Sequence, residues 1–249
     1  MANPDESSAW RFVRFGLIVT GEGEEEFLPS LFRSLTEGGQ CTFEVLRRIG
    51  QRSPITSPKK KLRMIGRGQI ITDTDEEEIG LTARRYLMRK DTYVILVDDL
   101  EGDRLEQHAA VYQRYRQVLD TMLGPLQYRA SVHFLANMLE AYYFADAKAI
   151  NSVLGTVLTD HPADVETIGN PKAELKKLFP DFHEIEHGKR IVAQLDVPHL
   201  LSRADTCASL RALFAWCSRA IGVPFAERYR LADGIRHPVT SPQIEQLLP

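Results

Sequence analysis

The sequence predicts an α/β protein: a mostly parallel sheet flanked by helices, followed by a C-terminal helical extension. Three observations carry this expectation. Short apolar runs suited to buried strands fall at residues 15–19 and 93–97, a further short strand is expected over 131–135, and stretches with apolar residues at helical spacing separate them. Beyond about Ala147 the alternation gives way to shorter pieces punctuated by Pro162, Pro171, Pro180, Pro198 and Pro224. Strands alternating with helices at this spacing imply right-handed βαβ units and four or five parallel strands. The predicted organisation is an α/β domain over 12–147 with the helical extension, 148–249, packed on it.

Each element has a local reason. The run 15–19 stops at a glycine turn, Thr20-Gly21-Glu22-Gly23. Phe27, Leu28, Leu31, Phe32 and Leu35 then follow at helical spacing behind an acidic first turn of Glu24, Glu25 and Glu26, and Gly38-Gly39 ends that helix. A second strand is expected over 42–49. The next helix, about 74–89, opens on Asp75, Glu76, Glu77 and Glu78 and closes on Arg84, Arg85, Arg89 and Lys90, a charge order that complements the helix dipole. Residues 93–97 form the strongest strand signal and run straight into Asp98-Asp99-Leu100-Glu101-Gly102-Asp103, so we expect a central parallel strand ending in carboxylates. Leu105, Ala109, Tyr112, Tyr115, Leu119 and Met122 mark a further helix that Gly124-Pro125 stops. A strand over 131–135 leads almost at once into a helix over 138–145, and 207–221 is the clearest helix of the tail.

Composition bounds the class. With 249 residues, 43% apolar and 26% charged, the chain can bury a core and is neither collagenous, coiled-coil nor wholly disordered. No apolar run approaches the roughly 18 residues of a membrane span, and residues 1–11 lack the apolar stretch of a secretory signal, so a cytoplasmic location is expected. Cys41, Cys207 and Cys217 are odd in number without CxxC spacing; they read as buried thiols rather than a disulfide or zinc framework.

Net charge is −3, yet Arg47, Arg48, Arg52, Lys59, Lys60, Lys61, Arg63 and Arg67 fall in one acid-free stretch, leaving −11 for the remainder. Pro54 and Pro58 exclude a helix there, so the stretch reads as an exposed basic loop, suited to nucleic-acid or nucleotide phosphates or simply to solvent.

In an open parallel sheet ligands bind beyond the carboxyl ends of the strands. Two acidic clusters fall at such ends: Glu22, Glu24, Glu25 and Glu26, and Asp98, Asp99, Glu101 and Asp103. Gathered carboxylates repel unless they are solvated or share a cation, and Mg²⁺ or Mn²⁺ is the natural remedy. The plainer alternatives are dipole complementation by Glu25 and Glu26 and a polar strand end at Asp98 and Asp99. Glu140 lies in an otherwise apolar stretch and requires a specific partner: a metal, a basic side chain or a backbone cap. Lys172, in Asn170-Pro171-Lys172, and Lys189 are the basic candidates of the tail. GxSxG, HExxH and Walker motifs are absent, which leaves serine-hydrolase, zincin and P-loop readings without support.

Taken in order, the glycine turn with Glu24, the strand ending in Asp98 and Asp99, the Glu140 segment, Asn170-Pro171-Lys172 and the 207–221 helix resemble the TOPRIM-like bacterial proteins gathered as domain-of-unknown-function family 4276. The resemblance covers about 15–222. It implies a TOPRIM-like, Rossmann-like sheet whose acids hold Mg²⁺ (or Mn²⁺) for phosphodiester chemistry, and a nuclease role in phage defence beside an ATPase partner. The family's first turn usually reads Glu-Gly-x-Thr-Glu; here Thr20 takes the leading position and Glu24 matches the second acid. The later Asp-x-Asp motif is met by Asp98 or by Asp99 with Glu101. The expectation is a metal-dependent nuclease. Glu24, Asp98, Asp99 and Glu101 would be its metal ligands; Glu22, Glu24, Glu140 and Lys172 would have catalytic roles, and the basic stretch would hold the nucleic-acid backbone. The rival expectation is a non-catalytic subunit that binds nucleic acid or a partner.

Overall fold

The structure, a computed structural model, describes residues 11–51, 63–65, 69–71, 74–223 and 225. Strands are β1 (Val13–Val19), β2 (Cys41–Arg48), β3 (Arg63–Ile65), β4 (Gln69–Ile71), β5 (Thr92–Leu100) and β6 (Ala130–Ala136). Helices are α1 (Glu22–Leu31), α2 (Arg33–Thr36), α3 (Thr74–Leu87), α4 (Asp103–Glu106), α5 (His108–Leu123), α6 (Ala147–Leu154), α7 (Pro171–Leu178), α8 (Glu184–Gln194), α9 (Val197–Ser202) and α10 (Ala208–Ala220). Three 3₁₀ turns, Gly124–Arg129, Leu139–Ala145 and Val165–Thr167, complete the list among the described residues.

The main sheet has the order β2-β1-β5-β6, and every pairing in it is parallel. The α/β expectation therefore holds, with four parallel strands. β5 and β6 are buried on both faces, which is why residues 93–97 read as an unbroken apolar run; in β6 the polar Ser131 and His133 are buried among the apolar residues. Alternation along the pleat still divides their side chains. Ile95 and Val97 join Phe15, Leu17, Val19 and Leu135 in one core, under helices that include α1, α8 and α10. Val94 and Leu96 join Ile18, Val132 and Phe134 in the other, under α3 and α5. In the first core Phe32 stacks on Phe43 at 4.0 Å and Phe43 on Phe15 at 4.5 Å.

The helices after Ala147 complete a layer over the sheet: Ile150, Leu175, Ile191, Leu200 and Leu213 all lie in the same core as β1. Residues 226–249, counted with this extension from the sequence, lie outside the described residues.

Three local expectations change. β5 runs on to Leu100, so Asp98 and Asp99 lie inside the strand and point to opposite faces. The stretch 138–145 forms a 3₁₀ turn, not an α-helix, because the chain bends through left-handed backbone at Asn137 (φ 56°) and Met138 (φ 73°) just before it. Within the basic stretch read as a loop, β3 pairs antiparallel with β4 as a short hairpin. Arg52, Lys59, Lys60, Lys61 and Arg67 lie outside the described residues, as does the side chain of Arg63. Cys41, Cys207 and Cys217 are free and buried, as expected. Among the described residues no helix is long and apolar enough to cross a membrane.

Candidate functional site

The strand order grows in opposite directions from β1: β2 lies on one side of it, and β5 and then β6 on the other, with all strands parallel. The carboxyl edge of such a switch point is where the crevice of an open α/β sheet opens. A pocket of about 200 Å³ lies there, lined by Glu24, Asp99, Glu140, Lys172 and Glu184, with Gln51 and Met138 beside them.

Glu24 reaches the pocket from the first turn of α1. Its carboxylate folds back against the glycine turn so closely that a Cβ on Gly21 would lie 1.8 Å from Glu24 Oε2. Gly21 is therefore needed for clearance. Asp99 projects from β5 on the same side as Ile95 and Val97, beneath α1 and α8. Glu140 arrives through the bend at Asn137 and Met138. That bend is tied down by Asn137 N–H to the Leu100 carbonyl (2.7 Å), by Asn137 Nδ2 to the Glu166 carbonyl (2.7 Å), and by the Tyr142 hydroxyl. This hydroxyl donates to Glu166 Oε1 (3.0 Å) and accepts from Ala136 N–H (3.2 Å). Met138 has φ 73° and ψ 164°, a region nearly exclusive to glycine, costing on the order of 1–3 kcal/mol that the surrounding ties hold in place.

Lys172 enters from α7, whose start is set by Pro171 and by the Asn170 side chain accepting from Ala173 N–H at 3.0 Å. Its Nζ lies 3.7 Å from Glu140 Oε1 and 3.2 Å from Glu184 Oε2. Glu184 stands in the first turn of α8. Gly188, on that helix, lets α8 approach, since a Cβ there would meet the Tyr143 hydroxyl at 3.2 Å and the Phe27 ring at 3.3 Å.

Burial governs the protonation of this cluster. Desolvation raises Glu24 above the ordinary carboxylate range. Desolvation, then the charges of Glu24 and Glu140, push Asp99 well above it, with the Glu24 carboxyl as its hydrogen-bond partner. Burial pushes Glu140 up to about 7, with Lys172 holding it back. Burial pulls Lys172 down, but Glu140 and then Glu184 outweigh this, and it stays a cation. Two buried oxygens, Asp99 Oδ1 and the Tyr143 hydroxyl, have no hydrogen-bond partner among the described residues.

The structure thus brings together Glu24, Asp99, Glu140 and Lys172, and leaves other expected ligands elsewhere. Asp98 points to the opposite face. It is ion-paired with Arg104 and accepts from the Thr20 hydroxyl at 2.9 Å and the Tyr115 hydroxyl at 2.8 Å. With both oxygens engaged, Asp98 is a structural carboxylate and not a member of the pocket. Glu101 and Glu22 sit on the exposed rim. Arg48 lies 3.2 Å from Glu25 and 4.0 Å from Glu22, and Arg47 pairs with Glu78 at 2.6 Å, so both described arginines of the basic stretch have acidic partners. Lys189 is exposed and does not line the pocket. Glu184, Gln51 and Met138 were not singled out in the sequence, where no signal marks them: Glu184 looks like any acid in a helix first turn.

Among the described residues no group of three or more His, Cys, Asp or Glu side chains is arranged to hold a metal ion. Mg²⁺ needs only one or two carboxylates, with water and substrate phosphate filling its octahedron. A buried oxygen of Asp99 with no hydrogen-bond partner among the described residues, on a carboxyl in contact with Glu24, fits that smaller demand.

No curated protein and no solved structure matches the chain. The family model described as Domain of unknown function (DUF4276) matches residues 19–216, from the end of β1 into α10 and across every residue of the pocket. The match spans most of the sequence, and the chain belongs to that family.

Proposed function

We propose that this pocket binds a divalent cation, Mg²⁺ or Mn²⁺, and serves phosphodiester hydrolysis on nucleic acid, as expected of a TOPRIM-like nuclease. The observation that carries the reading is the burial of Glu24, Asp99 and Glu140 around one pocket at the switch point, with Asp99 Oδ1 left unpartnered. Glu24 and Asp99 would hold the ion as carboxylates. The ion, when bound, supplies Lewis acidity toward a phosphoryl oxygen. Glu140, held near 7, is poised to take up or release a proton at neutral pH. Lys172, on the pocket wall, offers its ammonium to the charge of the transferred phosphate.

The test is cleavage of single- and double-stranded DNA and RNA with Mg²⁺ or Mn²⁺, alongside Mn²⁺ calorimetry. Ion binding together with cleavage, both lost in Asp99→Asn, is the expected result. Cleavage that persists in Asp99→Asn and Glu24→Gln overturns the assignment.

A second reading has its own support. The Thr20 hydroxyl, where the family's leading glutamate usually stands, is engaged with Asp98 and carries no acid. A non-catalytic binding subunit would bind the ion or nucleic acid without cleaving, which the same pair of measurements distinguishes.

A further inference from the structure

At the opposite edge of the sheet, where β5 and β6 begin, a cleft of about 550 Å³ opens between α5 and α10. Its floor is Trp216 and Tyr93, edge to face with ring centroids 5.8 Å apart and planes at 83°. One wall is Tyr128 on the 3₁₀ turn Gly124–Arg129, where the side chain stands in solvent with the residue 71% exposed. That turn is braced by Arg116, itself a lining residue of the cleft, which donates to the Ala130 carbonyl at 2.8 Å and the Gln127 carbonyl at 3.3 Å. Tyr128 is thus presented to solvent from a braced backbone, although burying such a ring is favourable.

Charge in the cleft has one sign left over. Arg116 is neutralised by Asp120, 2.7 Å away. Arg219, near the end of α10, is exposed and has no ion pair among the described residues. A ligand matched to this surface has a flat ring to stack and a negative charge for the guanidinium. Aromatic platforms beside arginine are how proteins take up unpaired bases and their phosphates. The volume falls in the range of small-ligand sites.

We propose that this cleft binds a nucleotide, its base stacked on Tyr128 over the Trp216–Tyr93 floor and its phosphate on Arg219. The site is distinct from the acid pocket and needs no metal ion, so the two readings stand or fall separately. A free mononucleotide and a nucleotide within a single strand share this chemistry.

The test uses Trp216 fluorescence in a Trp10→Phe background, since these are the two tryptophans of the chain. The full-length protein is titrated in EDTA with the four nucleosides, their monophosphates and short single-stranded oligonucleotides. The expected result is saturable quenching, weakened about ten-fold or more by Tyr128→Ala. Arg219→Gln should remove the preference for a monophosphate over its nucleoside. Tighter binding of oligonucleotides with steep salt dependence identifies a strand as the ligand. Equal affinities identify the free nucleotide. Absence of saturable quenching with every ligand, or quenching unchanged in both variants, overturns the proposal. Both positions are exposed, and unchanged thermal midpoints will show that the variants fold.

Discussion

Replacing Glu140 by glutamine should stabilise the protein, and by an amount that depends on pH. Glu140 is buried and pushed up from 4.5 to about 7. A carboxyl raised in the folded state favours folding in its protonated form, so its contribution is complete below about pH 4.5 and is lost as pH rises towards 7. Each unit of pKa displacement corresponds to about 1.4 kcal/mol, giving a cost at pH 8 of about 3 kcal/mol and at pH 5 of about 1 kcal/mol. Glutamine keeps the shape and never ionises. At 2–4 °C per kcal/mol for a chain of this size, Glu140→Gln should raise the melting midpoint by about 6–12 °C at pH 8 and by roughly a third of that at pH 5. Thermal unfolding followed by circular dichroism across that range, without divalent ions, reads the effect. A midpoint gain independent of pH, or a loss at pH 8, would show that Glu140 is not held against its charge by burial. A buried acid that costs the apo protein this much suits a site whose ligand, once bound, relieves the strain.

Three further outcomes follow from neighbouring geometry. Gly21→Ala places a methyl where the Glu24 carboxylate lies and should abolish Mn²⁺ binding in calorimetry while leaving the circular dichroism spectrum intact; undiminished binding would separate Glu24 from the ion. Arg104→Met leaves Asp98 buried and unpaired, and should cost about 3–5 kcal/mol in urea unfolding at neutral pH, with the added change Asp98→Asn recovering most of it. His133 is fully buried, neither ring nitrogen has a hydrogen-bond partner among the described residues, and burial pushes it down to about 3. The unfolded chain therefore takes up a proton that the folded one refuses once pH falls below about 6.5, which costs about 2 kcal/mol at pH 5. His133→Gln should move the acid-unfolding midpoint to lower pH, and an unmoved midpoint would refute the assignment.

Much of this architecture was legible in the chain. Val13–Val19, Thr92–Leu100 and Ala130–Ala136 are each within a few residues of the expected strands, because a strand covered on both faces is predominantly apolar, with Ser131 and His133 as buried exceptions in the last, and that pattern is local. Thr20-Gly21-Glu22-Gly23 announced a turn into a helix, and Asn170-Pro171 announced the start of another, since caps and turns are set by a few adjacent residues. The short hairpin of β3 and β4 was hidden by its basic, proline-bearing surroundings. The 3₁₀ turn at Leu139–Ala145 was masked by an apolar run that suits either helix type.

The site was half visible. Glu24, Asp99, Glu140 and Lys172 are all recognisable as carboxylates or a cation in unusual company, and their kind of chemistry follows from the residues alone. Which of two adjacent aspartates enters the pocket does not. It depends on where β5 ends and on what lies across each face of it: Arg104, Thr20 and Tyr115 over Asp98, Glu24 and Glu140 beside Asp99. Local sequence sets strands, turns and caps because their energetics act between near neighbours. The partners of these buried charges come from other elements, from Arg104 six residues beyond Asp98 to Thr20 78 residues before it, and only the folded packing around β5 selects them.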